Sequence, residues 1–89
     1  MMEGNLIYRV QSQYPTLARQ ARVQGAVVLR AVSTREGRIT NLQVVSGHPL
    51  LVQSAMNAVL QWRYRPYYLN TEPVEVETQV TVNFTLSGG

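Results

Sequence analysis

Apolar and polar residues alternate without interruption from Val74 to Ser87. Val74, Val76, Thr78, Val80, Val82, Phe84 and Leu86 fall on one parity, and Glu75, Glu77, Gln79, Thr81, Asn83, Thr85 and Ser87 on the other. Successive side chains of a strand point to opposite faces, so the spacing predicts one long strand with a buried face and a wet face. Earlier in the chain the period changes. Tyr14-Pro15 predicts a helix start with proline at the first helical position, Leu17, Ala18 and Ala21 form a narrow apolar stripe, and Gly25 offers the left-handed residue of a C-terminal cap. Ala26 to Ser33 reads as a strand, Thr34-Arg35-Glu36-Gly37 as a turn, and Arg38 to Ser46 as the returning strand. Ile39, Leu42 and Val44 break strict parity there, which predicts a β-bulge near Thr40-Asn41. Leu51, Val52, Ala55, Met56, Val59 and Trp62 recur at three- and four-residue spacing after Pro49, the mark of a helix with one face on a sheet. Pro66 is expected to end that helix, with Tyr67 to Pro73 as a loop. Leu6 to Val10 reads as an extended edge piece or a docked arm.

The order is therefore arm, helix, strand, strand, helix, strand. If the first two strands form a hairpin and the second helix returns the chain, the last strand runs antiparallel to the first. The expected fold is α+β, a two-layer sandwich with a three-stranded antiparallel sheet in spatial order 2-1-3 and both helices on one face. That order puts Val74–Ser87 at a sheet edge.

Length limits this plan to one domain, because 89 residues at 45% hydrophobic content supply a single compact core. Residues 6–87 are assigned to the domain, Met1–Asn5 to a start or linker ahead of it, and residues 88–89 to a tail. Targeting information would then lie upstream. No apolar run approaches the roughly 18–20 residues of a membrane-spanning helix. There is no cysteine, so disulfides and thiolate metal sites are excluded. The charge comes from eight arginines against five glutamates, a net +3. The arginines are scattered, not in a run, which argues against a nucleic-acid footprint.

Candidate chemistry is sparse. His48, the one histidine, stands beside Pro49 at a helix start, where a capping or exposed loop role outweighs a catalytic one. Glu72, Glu75 and Glu77 form the acidic cluster, read as a solvated face and not a metal site. Trp62-Arg63-Tyr64-Arg65-Pro66 interleaves rings with arginines as a base-stacking surface would, yet the helix pattern assigns the rings to the core. No cofactor is implied. The positive signal is the edge. Glu75 and Glu77 guard its first half with charge, whereas from Gln79 to Thr85 the outward residues are short and neutral. Such a row of free N–H and C=O groups suits capture of a peptide strand, and equally a tolerated or self-paired edge.

Tyr14-Pro15, the helix to Gly25, Gly37-Arg38, Asn41, Trp62-Arg63-Tyr64-Arg65-Pro66 and the terminal Asn83-Phe84-Thr85-Leu86 together carry a pattern. From about Arg9 to Leu86 the chain resembles the C-terminal domain of the TonB family of periplasmic energy transducers. The resemblance implies a non-enzymatic domain that binds the TonB box of an outer-membrane transporter by β-strand addition. It further implies a periplasmic location, tethered to the inner membrane by an N-terminal helix outside this sequence. Through that region an ExbB–ExbD complex would supply energy from the proton-motive force. Carried over residue by residue, the receiving strand is Gln79, Val80, Thr81, Val82, Asn83, Phe84 and Thr85. Gln11 matches a glutamine beside the box, and Arg9 and Arg22 match arginines facing the transporter plug. Ser12 departs from the pattern, standing where proline is frequent.

Two other roles fit the same residues. Similar modules occur on membrane sensors or antirepressors, and the basic balance allows a nucleic-acid-binding domain. An exposed edge also invites pairing with a second copy as a homodimer.

Overall fold

A computed structural model describes residues 5–87. The assignments of residues 1–4 and 88–89 to linker and tail lie outside the described residues. The elements are β1 (Leu6–Tyr8), α1 (Thr16–Gln20), β2 (Gly25–Ser33), β3 (Ile39–Ser46), α2 (Pro49–Val59), β4 (Arg63–Tyr64), β5 (Tyr67–Leu69), β6 (Glu72–Val74) and β7 (Val76–Phe84). The main sheet is antiparallel in the order β3-β2-β7, as the alternation and connectivity predict.

β2 is the central strand because both its edges are paired, with β3 and with β7. Val27, Leu29 and Ala31 are fully buried, and Val27 and Leu29 stand directly opposite Val82 and Val80 of β7. With Phe84 these residues meet Ala18 of α1 and Leu51, Ala55 and Val59 of α2 in one cluster. Each valine, leucine or phenylalanine among them contributes about 1.5–3 kcal/mol when removed from water. The alternate residues Glu77, Gln79, Thr81 and Asn83 are exposed on the opposite face.

His48 caps α2, with its Nδ1 accepting from the Leu50 N–H at 3.0 Å, and Pro49 occupies the first turn. The bulge is where parity breaks. Between the pairs Arg30↔Gln43 and Val32↔Thr40, β3 carries one extra residue, and Asn41 takes φ 52°. A second irregularity lies between Val28↔Ser46 and Leu29↔Val44. Val44 and Val45 are both exposed there.

Several boundaries differ from expectation. Pro15 is the N-cap of α1, not its first residue, and the helix is only one and a half turns. Of its predicted stripe only Ala18 is buried; Leu17 remains 65% exposed. Gly25 is not the cap. The Val23 N–H donates to Ala18 O and the Arg22 N–H to Arg19 O, a Schellman arrangement with Arg22 at φ 58° in the left-handed position. Glycine is the usual residue there, so the sequence pointed three positions too late. α2 ends at Val59, well before Pro66, and Trp62 lies in the turn that follows it. Tyr67–Pro73 is not a loop: β5 and β6 form a hairpin, turning at Asn70 with φ 61°. The predicted strand from Val74 is therefore divided, with Val74 ending β6 and β7 starting at Val76.

Gly37 holds the β2–β3 turn against β4. Its carbonyl accepts from the Tyr64 N–H at 2.7 Å, its φ is 82°, and a Cβ placed on it would stand 1.8 Å from the Tyr64 carbonyl oxygen. Backbone, which has little room to yield, blocks any side chain at this position. Gly37→Ala is expected to lower unfolding free energy by more than about 2 kcal/mol, measured by urea denaturation.

Candidate functional site

The outer edge of β7 is regular where that of β3 is not. Nine consecutive residue pairs join β7 to β2 without a bulge, from Gly25↔Phe84 to Ser33↔Val76. β3, the opposite edge, carries two register breaks that twist and interrupt its outer row. Among the described residues no strand pairs with the far side of β7. The acidic guard is confined to its start, where Glu77 Oε2 lies 3.9 Å from Arg30 Nε of β2, an exposed pair of little energetic weight.

The N-terminal arm runs beside this edge and makes a wall. β1 pairs with β4, and past it the Trp62 Nε1–H donates to the Val10 carbonyl at 2.8 Å. A buried indole must place its N–H, and this acceptor fixes the arm against the core. The Arg9 guanidinium lies 5.2 Å from the centre of the Trp62 ring, a cation–π contact. Farther on, the Tyr14 hydroxyl donates to the Val23 carbonyl, and its ring meets Phe84 edge-on with centroids 5.5 Å apart. Arg19 covers the same ring at 4.9 Å. Tyr14 thus ties arm, α1 turn and the end of β7 together.

Two clefts result. The first, about 280 Å³, lies between Leu6, Arg9, Trp62 and Tyr64 on one side and Gln79, Val80 and Thr81 on the other. The second, about 210 Å³, is bounded by Arg9, Gln11, Ser12, Tyr14 and Trp62 and by Val82, Asn83, Phe84 and Thr85. Arg9 borders both. The fold therefore brings Arg9 and Gln11 together with all seven strand residues singled out in the sequence. Gln79, Thr81, Asn83 and Thr85 are exposed, while Val80, Val82 and Phe84 turn inward to the core and offer only backbone to a partner. Arg22 is exposed in the α1 turn and borders neither cleft.

Sequence reasoning placed Trp62 and Tyr64 in the scaffold and Tyr14 at a helix start, and missed that all three also line the clefts. The signal was the polar tip that each ring must satisfy as it packs inward. Trp62 and Tyr64 are only 5% and 2% exposed, so the Arg–aromatic run is no stacking surface for bases.

Residues 10–86 match the family described as Gram-negative bacterial TonB protein C-terminal. The chain belongs to the TonB C-terminal family. It is 32% identical to Protein TonB of Vibrio cholerae over 82 residues, covering 90% of this chain and 34% of that protein. Protein TonB of Escherichia coli is 37% identical over 60 residues, 65% of this chain and 25% of that protein. The chain thus spans about a third or less of these relatives. The solution structure of the Pseudomonas aeruginosa TonB C-terminal domain superimposes with a TM-score of 0.76 at 24% identity, covering 94% of this chain and 87% of that one. The TonB2 protein of Vibrio anguillarum gives 0.69 at 29% identity, over 92% and 80%. The TonB-type fold accounts for the three-stranded sheet and both helices.

The arm should depend on the indole N–H. Trp62→Phe is expected to cost about 1–2 kcal/mol and to speed amide exchange selectively along residues 6–12, read by hydrogen–deuterium exchange.

Proposed function

We propose that residues 6–87 form the receptor-binding domain of a TonB-type energy transducer, and that the outer edge of β7 receives an extended segment of an outer-membrane transporter as an added strand. The observation that carries this reading is the unbulged, uncharged edge from Gln79 to Thr85 beside a wall built by the arm. Main-chain hydrogen bonds would supply affinity there, and the clefts beside Arg9 and Gln11 would set register and specificity. The domain performs no covalent chemistry in this proposal. It grips a partner, and the pull comes from elsewhere, from an ExbB–ExbD complex driven by the proton-motive force and reached through a periplasmic linker and inner-membrane helix. Family membership supports that wider setting.

Titration with box-like transporter peptides should shift amide resonances along Gln79–Thr85 and the arm; undisturbed signals there would remove the proposal. Pairing with a second copy of the chain would appear instead as shifts that grow with protein concentration and need no peptide. Proline variants at the adjacent positions Thr81 and Val82 sharpen the test. Successive N–H groups of a strand point to opposite edges, so one of the two prolines deletes a β2 ladder bond and the other an outward donor. The variant that keeps a native amide spectrum should lose peptide binding.

Arg22 is proposed to face the bound transporter, outside the strand-addition groove. Its left-handed backbone costs an L-residue about 1–2 kcal/mol, a strain that glycine would relieve. Arg22→Gly is expected to raise stability by about 0.5–1 kcal/mol, allowing for the greater freedom of glycine in the unfolded chain. It should leave peptide affinity intact and slow association with the intact transporter at low salt. Unchanged association would take Arg22 out of the interface.

A further inference from the structure

We propose that the β5–β6 hairpin and the arginines beside it form a second contact surface, which docks the domain on an anionic lipid bilayer. Two residues separate β4 from the hairpin, which ends just before β7, whose first residue, Val76, stands opposite Ser33 at the end of β2. It therefore lies beyond the end of the main sheet and takes no part in the β7 edge. Its pairing is with itself alone, Tyr67↔Val74, Tyr68↔Pro73 and Leu69↔Glu72.

Tyr67, Tyr68 and Leu69 are 47%, 56% and 62% exposed. Consecutive side chains of a strand leave on opposite faces, so the ribbon presents apolar surface on both sides. A folded protein partner docks on one face of a ribbon and leaves the other wet, whereas a fluid phase surrounds both. Tyrosine suits that boundary, having an apolar body and a polar tip. The turn at Asn70 and Thr71 would lead into the headgroup region.

The charges point the same way. Arg38 bridges directly to Arg63, and on the other side of β4 Arg63 pairs with Tyr8, itself 58% exposed. Two arginines directly opposed across strands repel. Among the described residues no carboxylate pairs with them: the ion pair is Arg30–Glu77, Arg63 Nη1 donates to the Trp62 carbonyl at 2.8 Å, and the exposed Glu36 and Glu72, the latter opposite Leu69 in the hairpin, join no arginine. Arg65, exposed, follows on the same segment. Phosphate groups of anionic lipids would sit between Arg38 and Arg63 and replace their repulsion with charge-assisted hydrogen bonds. This surface is independent of the strand-addition edge, and it would hold the domain at the membrane where its partner resides.

The test is co-sedimentation with vesicles of phosphatidylcholine alone and of equal parts phosphatidylcholine and phosphatidylglycerol. Binding is expected to the mixed vesicles only, and to fall as salt screens the arginines. Arg38→Gln and Arg63→Gln should each weaken it about fivefold, and Tyr68→Ser with Leu69→Ser should also release the domain. Arg22→Gln, remote from the hairpin, serves as the control. Native amide spectra would show that each variant is folded. Absence of binding at low salt would overturn the proposal. So would equal losses in the Arg22 control, which would mark non-specific attraction to a basic protein, or indifference to the hairpin variants. Hydrogen-exchange protection of the hairpin by a soluble transporter plug without lipid would assign the surface to a protein instead.

Discussion

The pairing of β2 with β7 sets everything else in this domain. Nine consecutive residue pairs place Val27 opposite Val82 and Leu29 opposite Val80, so both strands direct their apolar parity to the helices at once. A slip of one residue would turn Val80, Val82 and Phe84 to the open face and bring Gln79, Thr81 and Asn83 into the core, a cost no local rearrangement could offset. The same register leaves the second edge of β7 straight. The pairing that stabilises the fold on one side of β7 thus leaves an uninterrupted backbone row on the other.

The arm converts that row from a bare edge into a groove. Its position depends on polar atoms of a buried and a half-buried ring: the Trp62 N–H on the Val10 carbonyl, and the Tyr14 hydroxyl on the Val23 carbonyl. Trp62 belongs to the core and Tyr14 packs against it, and each also lines a cleft beside β7. Arg9 is held over Trp62 at the junction of the clefts, where a flexible side chain is given one place to be. Rigid anchoring of the wall would reduce the ordering cost when an extended peptide arrives.

The two sheet edges show how one molecule treats the same hazard in opposite ways. β3 is broken by bulges that put Val44 and Val45 outward and spoil its hydrogen-bonding row. β7 has charge only at its start, and among the described residues its ion pair reaches inward to Arg30 of β2 rather than over the free edge. An edge merely tolerated would be expected to carry similar interruptions; the contrast favours use. The hairpin adds a third surface whose exposed tyrosines neither edge explains.

Periodicity by itself determined the layers, the sheet order and the faces of β2, α2 and β7, because those features follow from side-chain parity and connection rules that act along the chain. The bulge at Asn41 and the His48 cap were legible for the same reason: each leaves a local mark. The end of α1 was not, since glycine's freedom advertised Gly25 while hydrogen bonds to Ala18 and Arg19 fixed the left-handed residue at Arg22. The hairpin at Tyr67–Val74 was hidden because Pro73 and Asn70 look like loop residues until their strands pair. The candidate strand residues could be read from alternation, and Arg9 and Gln11 only from resemblance. That these two meet the strand was decided by tertiary structure, through a hydrogen bond between residues 10 and 62 that no local pattern records.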